Sequence, residues 1–192
     1  GLAITVHAGE AAGAENVKVS VEQLGADRIG HGVRAHEDPS VVALLRDRAI
    51  PLELCPTSNV QTGAVESLAT HPLPDFLRQG VPVTINTDDP GISGITLSSE
   101  LALAARHFGL TLHDLEQVTH NAATAAFLSP QEKSLLQARI RRGFAAAKRM
   151  FLNALTPQEA EQLLVAALNE SDLAPEARER IVTEFRKAQN RR

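Results

Sequence analysis

Four short apolar runs punctuate the first half of the chain, and each ends in polar residues. Ala3, Ile4, Thr5 and Val6 are small or β-branched and give way to His7, Gly9 and Glu10. That is the pattern of a buried strand meeting a loop. A second run from Asp27 ends at His31, between Gly30 and Gly32. A third, Ile50 to Cys55, leads into Pro56, Thr57, Ser58 and Asn59, a cluster of loop-forming hydrogen bonders. The fourth, Val81 to Ile85, is followed by Asn86, Thr87, Asp88, Asp89 and Pro90.

Between the runs the apolar period changes from two to that of a helix. Val17, Val21 and Leu24 mark one amphipathic face over Ala14 to Leu24, stopped by Gly25. Pro39 opens a second helix with Val41, Val42, Leu44 and Leu45 as its apolar side. A third spans about Pro74 to Gln79 and is closed by Gly80. After Leu97 the strand signals stop. Helices are expected at Leu97 to Phe108, Thr111 to Thr119 and Asn121 to Leu128. Ser129 with Glu132, and Thr156 with Glu159, have capping-box spacing with Pro at the first helical position. Pro175 opens a last helix through Ile181, Val182 and Phe185, and Arg186 to Arg192 reads as a basic, frayed, solvated end.

Strand then helix, repeated at roughly 25-residue intervals, is the rhythm of βαβ units and a parallel α/β sheet. Right-handed crossovers then put every strand's C-terminal end on one edge. His7, Glu10, His31, Thr57 to Asn59, Asp88 and Asp89 meet there, at the edge where parallel α/β proteins build their sites. No Gly-x-Gly-x-x-Gly follows a strand, which argues against a dinucleotide fold.

Composition narrows the function class. The 192 residues carry a net charge of -4, with 43% apolar and 22% charged residues, enough for a sizeable core. No basic stripe or basic–aromatic interleaving suggests a nucleic-acid partner, and no apolar run suggests a membrane span. The single Cys55 rules out an internal disulfide or a Cys-based zinc site and fits a reducing, cytoplasmic setting. It reads as a small buried residue. The chain opens just before a strand and without Met, so an upstream segment is expected.

The strand-end residues divide by chemistry. His7 alone reads more readily as a hydrogen-bonded structural histidine than as a ligand. With Asp88 on the same edge it offers the imidazole and carboxylate that zinc takes as ligands. Asp88 and Asp89 side by side would be costly if buried, unless a metal compensates one and a hydrogen-bond donor the other. Glu10 could hold and pass a proton near neutrality in an apolar cleft. His31, flanked by glycines, is open to close approach by a ligand. His36, His71, His107, His113 and His120 fall in loops or on helices and read as structural.

Taken together, Val6 to Glu10, Arg28 to Gly32, Cys55 to Asn59 and Asn86 to Pro90 resemble the adenosine deaminase family, over roughly Gly1 to Ala146. The resemblance implies a zinc-dependent TIM (β/α)8 barrel that hydrolyses the 6-amino group of adenosine to give inosine and ammonia. By match, His7 and Asp88 are implied as zinc ligands, Asp88 also as a catalytic residue that contacts the attacking water, and Glu10 as the acid that protonates purine N1. His31 matches the histidine that orients the attacking hydroxide and stabilises the tetrahedral intermediate, and Asp89 the residue bonded to purine N7. Relatives in the superfamily act on adenine or aminodeoxyfutalosine. Gly30 stands where adenine-specific relatives tend to carry Asp, and Val60 to Gly63 and Pro90 to Ser93 also resemble the nucleoside enzyme, so adenosine or deoxyadenosine is expected.

The resemblance covers about the last four βα units of such a barrel, with residues 1–148 as the half-barrel and 149–192 as a helical extension. No His-x-His pair, the family's source of two zinc ligands, occurs in the chain. A missing N-terminal half, or self-association of two half-barrels, is therefore expected, and the chain alone is expected to be inactive. A non-catalytic half-barrel that binds purine nucleosides, or serves as an interaction module, is the competing expectation.

Overall fold

A computed structural model describes residues 1–169, 171 and 173–189, without the side chains of Leu152, Asn153, Ala167, Ala188 and Gln189. Two compact units divide between Arg141 and Arg142. The first unit is built on four parallel strands: β1 (Thr5–Ala8), β2 (Arg28–His31), β3 (Leu52–Leu54) and β4 (Val83–Ile85), in the order β1-β2-β3-β4. The register sets His7 opposite Gly30, Gly30 opposite Glu53, and Glu53 opposite Thr84.

Alternation along the strands sorts the two faces. Ile29, Leu52, Leu54 and Val83 are fully buried in the hydrophobic core. Helices α1 (Ala14–Glu22) and α2 (Pro39–Asp47) add Val17, Val41 and Leu45 to that core. Each such side chain contributes about 1.5–3 kcal/mol by leaving water. The other face is polar. Thr5 Oγ1 donates to Glu53 Oε2 at 2.8 Å, and Arg28 Nε lies 3.3 Å from Glu53 Oε1.

The run Ala3 to Val6, expected to be buried, is not: Ile4 is 40% exposed and Val6 only half-buried. The reason is topological. Among the described residues β1 pairs on one side only, with β2, so it forms an open sheet edge. At the opposite edge, helix α7 (Leu112–Ala125) lies against β4, and Asn121 Nδ2 donates to Val83 O at 2.9 Å.

The helices follow the expected rhythm, with four departures. Helix α1 stops at Glu22, before left-handed Gly25, so Leu24 is exposed rather than part of its apolar face. Pro56 to Asn59, expected as loop, form helix α3 (Pro56–Gln61). The remaining helices are α4 (Leu73–Arg78), α5 (Pro90–Ser93), α6 (Leu97–Phe108) and α7 (Leu112–Ala125). The two helices expected over Thr111 to Leu128 are therefore one. No glycine or proline interrupts α7, and Thr119 Oγ1 satisfies itself on Leu115 O within the helix.

Both capping boxes form as expected. Glu132 accepts from Ser129 N at 2.9 Å at the start of α8 (Pro130–Ala154), and Glu159 accepts from Thr156 N at 2.8 Å at the start of α9 (Pro157–Asn169). The fourth departure is at the end. Arg186 and Lys187, expected to be frayed, lie inside α10 (Pro175–Gln189), where Arg186 Nε donates to Glu161 Oε1 at 2.9 Å. Residues 190–192 of that stretch lie outside the described residues. No helix among the described residues is long and apolar enough to cross a membrane.

Candidate active site

Parallel pairing brings the C-terminal ends of all four strands to one edge, and the predicted residues gather there. His7, the third residue of β1, lies opposite Gly30 in β2. At the end of β2 the backbone of His31 turns left-handed (φ 62°), and Asp88, after β4, does the same (φ 56°). Such geometry is costly for residues with a Cβ and is held only where the surroundings demand it. At His31 it breaks the alternation that would leave the side chain on the face of Ile29. The His31 ring instead meets the His7 ring edge-on, with centroids 4.8 Å apart. Gly9 makes the turn above them: its φ is 65°, and a Cβ there would come within 3.1 Å of the Gly32 backbone.

A cavity of about 340 Å³ opens on this edge, lined by His7, His31, Glu53, Cys55, Asn86 and Asp88 among others. A larger cavity, about 780 Å³, lies near the strand starts, beside Gly1, Asp27, Pro51 and Pro82. Size does not mark the site. The one grouping of three metal-ligating side chains among the described residues is His7, Glu10 and His31, whose ligating atoms all lie within 4.8 Å of one another.

The three are not equivalent. His31 is 2% exposed, and both its nitrogens have protein partners: Asn59 Nδ2 at 3.1 Å from Nδ1, and Glu10 Oε2 at 3.4 Å from Nε2. His7 is exposed, and its ring makes no hydrogen bond among the described residues, so the ring nitrogens are free for a ligand. Asp88 lies outside the tight cluster but shares the cavity with His7. Ser58 Oγ donates to Asp88 Oδ2 at 2.7 Å and fixes one of its oxygens. A neutral imidazole and a carboxylate oxygen suit zinc, so the donor chemistry of His7 and Asp88 fits that metal. They supply two protein ligands, one fewer than catalytic zinc sites usually take.

Glu10 accepts from Thr62 Oγ1 at 3.2 Å and faces His31. Arg34, Glu37 and Thr62 lie beside it together with Ala11, Gly63 and Ala64, so its surroundings are mixed and are not the apolar cleft that would favour a held proton. Asp89 is exposed, and its carbonyl accepts from Ile92 N and Ser93 N at the start of α5. With both acids exposed, the burial cost expected for the Asp88–Asp89 pair does not arise.

Asn59 is expected at this edge only as a turn former, and His71 and Glu100 are given no place in it. Asn59, fully buried, holds His31; His71, 5% exposed, holds Asn59; and Glu100, 1% exposed, accepts from both Thr57 N and Thr57 Oγ1 at the start of α3. Their partners are 12 to 43 residues away, beyond any local pattern. Cys55 is buried as expected. Burial first, then the charges of Asp88, Glu10, Glu100 and Glu53, push its thiol up to about 12.

The family model described as adenosine deaminase matches residues 1–142. An adenosine deaminase of Yersinia pseudotuberculosis is 50% identical over 140 residues, which cover 73% of this chain and 42% of the relative. The solved adenine deaminase of Arthrobacter aurescens superposes with a TM-score of 0.71 at 32% identity, over 73% of this chain and 43% of its own. A zinc-bound amidohydrolase from Burkholderia ambifaria superposes with a TM-score of 0.72 at 27% identity, over 78% and 42%. The chain thus spans about 42% of the length of the curated relatives it matches, and its four parallel units are part of a (β/α)8 barrel.

Proposed function

The chain belongs to the adenosine deaminase family, and on that premise we propose that it carries part of a zinc-dependent site for hydrolysis of adenosine or deoxyadenosine. Water replaces the 6-amino group, giving inosine or deoxyinosine and ammonia. The observation that carries this reading is the convergence of His7, Glu10 and His31 within 4.8 Å, with Asp88 in the cavity shared by the two histidines.

His7 and Asp88 would hold the zinc. When bound, the metal supplies the Lewis acidity that lets water attack at neutral pH. Glu10, which contacts His31 and Thr62, would pass a proton to purine N1. That proton draws electron density from C6 and eases attack there. His31, bonded to Asn59, would meet the reacting oxygen, and Asp89 would bond purine N7.

The choice of adenosine rests on 50% identity to curated adenosine deaminases against 32% to the adenine deaminase. Adenine and aminodeoxyfutalosine remain the alternative 6-aminopurines. The remaining zinc ligands would come from a segment packed along the open edge of β1, either an N-terminal half of the same protein or a second copy of this chain. Residues 149–192 would be a helical extension of the barrel half. A cytoplasmic setting is proposed from the single free thiol.

The exposed β1 edge also favours a second reading, a half-barrel that binds purine nucleosides without turning them over. One experiment separates the two: zinc content of the purified chain, measured beside the ultraviolet change as adenosine becomes inosine. Near-stoichiometric zinc with turnover supports the deaminase. Nucleoside binding without zinc or turnover, in the chain alone and after adding an N-terminal half from a relative, supports the binding module.

A further inference from the structure

Behind His31 lies a run of buried side chains whose hydrogen bonds have one possible direction. It starts at the backbone N–H of Leu73, which can only donate and lies 3.1 Å from His71 Nδ1. His71 Nδ1 is therefore the acceptor. Burial, with a smaller push from His36, lowers the His71 imidazole to about 4, so the ring is neutral near pH 7. Its one proton is then on Nε2, 3.4 Å from Asn59 Oδ1. The Cys55 backbone N–H, also donor only, reaches the same oxygen at 3.1 Å. Two independent donors thus fix which end of the Asn59 amide is oxygen. The other end, Nδ2, faces His31 Nδ1 at 3.1 Å.

We propose that Asn59 and His71 are positioning residues that hold His31 in the Nε2–H tautomer, so that it presents an N–H to Glu10 and the cavity. The chain of hydrogen bonds runs from Leu73 N–H to His71 to Asn59 to His31, each group donating to the next, and His31 Nε2 at its end lies 3.4 Å from Glu10 Oε2. Asn59, His31 and His71 are 0%, 2% and 5% exposed, so water does not compete for these bonds. A fixed tautomer has a chemical consequence. His31 meets the reaction as a hydrogen-bond donor from the outset, with no ring flip or proton shift needed first. That His31 faces reacting atoms rests on the deaminase reading; the direction of the hydrogen bonds does not.

The test uses the chain as it stands, without metal or substrate. Histidines are labelled with 15N, and a long-range proton–nitrogen correlation spectrum is recorded at neutral pH. The His31 and His71 signals are assigned by their loss in His31→Gln and His71→Gln. Expected for both is an unprotonated Nδ1 shift and a protonated Nε2 shift. Asn59→Asp then replaces the donor facing His31 with an acceptor while keeping an oxygen for Cys55 N. The His31 Nδ1 signal should move into the protonated range, and that of His71 should stay. A protonated Nδ1 on His31 in the unaltered chain overturns the proposal, as does no change at His31 in a folded Asn59→Asp. If Asn59→Asp does not fold, the unaltered chain's spectrum still decides. Failure to deaminate adenosine would overturn the deaminase reading and leave the tautomer assignment untouched.

Discussion

Gly30 lies directly beneath the imidazole of His7: a Cβ at position 30 would sit 2.5 Å from His7 Cδ2 and 3.0 Å from His7 Nε2. The two residues are cross-strand partners in β1 and β2, so neither backbone can step aside without breaking the ladder. The absence of a side chain at one position creates the space for a ligand side chain at the other.

Gly30→Ala should therefore displace the His7 ring while leaving the sheet formed. Metal affinity is expected to fall by about 10–100-fold, the usual cost of disturbing what orients a ligand. Stability should fall by about 1–3 kcal/mol from overpacking. Chelator competition for zinc on the purified chain measures the first and urea unfolding the second. Unchanged affinity in Gly30→Ala would remove His7 from the metal site.

Glu100 supplies from a distance what α3 lacks at its own start. Cys55 precedes the helix and offers no side-chain cap, but the buried Glu100 carboxylate accepts from Thr57 N at 3.0 Å and from Thr57 Oγ1. An anion at a helix start also meets the positive end of its dipole. Glu100→Ala is expected to cost about 2–3 kcal/mol, because two buried donors lose their partner. Glu100→Gln keeps one acceptor oxygen and should lose less. Since α3 also carries Ser58 and Asn59, Glu100→Ala should loosen the holds on Asp88 and His31. Equal stabilities of Glu100→Ala and the unaltered chain in urea would contradict this account.

Much of the sheet edge was legible because local signals suffice for it. Period-two runs ended by His7, His31 and Asp88 locate the strands, and parallel topology does the rest. The missed features are non-local. Helix α3 is invisible from Pro56 to Asn59 because its cap is Glu100, 43 residues on. Asn59 looks like a turn former until His71 and Cys55 N fix its amide. The exposure of Ile4 and Val6 follows from what pairs with β1, which no property of those residues records.

Cys55 lines the cavity, yet its thiol should be inert. With its pKa pushed up to about 12 by burial and by surrounding carboxylates, about one thiol in 10⁴ is ionised at pH 8, against about one in four for an ordinary cysteine. Alkylation by iodoacetamide should be slower than in urea-unfolded chain by orders of magnitude. Labelling of the folded chain at the unfolded rate would show that the charges and burial around Cys55 are not as described.

The last prediction concerns acid. Burial and the His36 charge lower His71 to about 4, below its ordinary value of 6.5. Between those values the unfolded chain binds a proton at His71 and the folded chain does not, so stability rises with pH across that window. The contribution is fully present above about pH 6.5 and is eroded as pH falls towards 4, by about 3 kcal/mol in all. The structural reason is visible: a proton on Nδ1 would face the Leu73 N–H, which already donates there. His71→Leu removes the titration and leaves Leu73 N and Asn59 Oδ1 short of a partner, so it should be less stable at pH 7. Its stability should then fall less steeply on acidification, by about 3 kcal/mol between pH 7 and pH 4. Urea unfolding at several pH values reads both effects. Parallel acid slopes for the two proteins would mean that His71 takes up its proton as readily folded as unfolded.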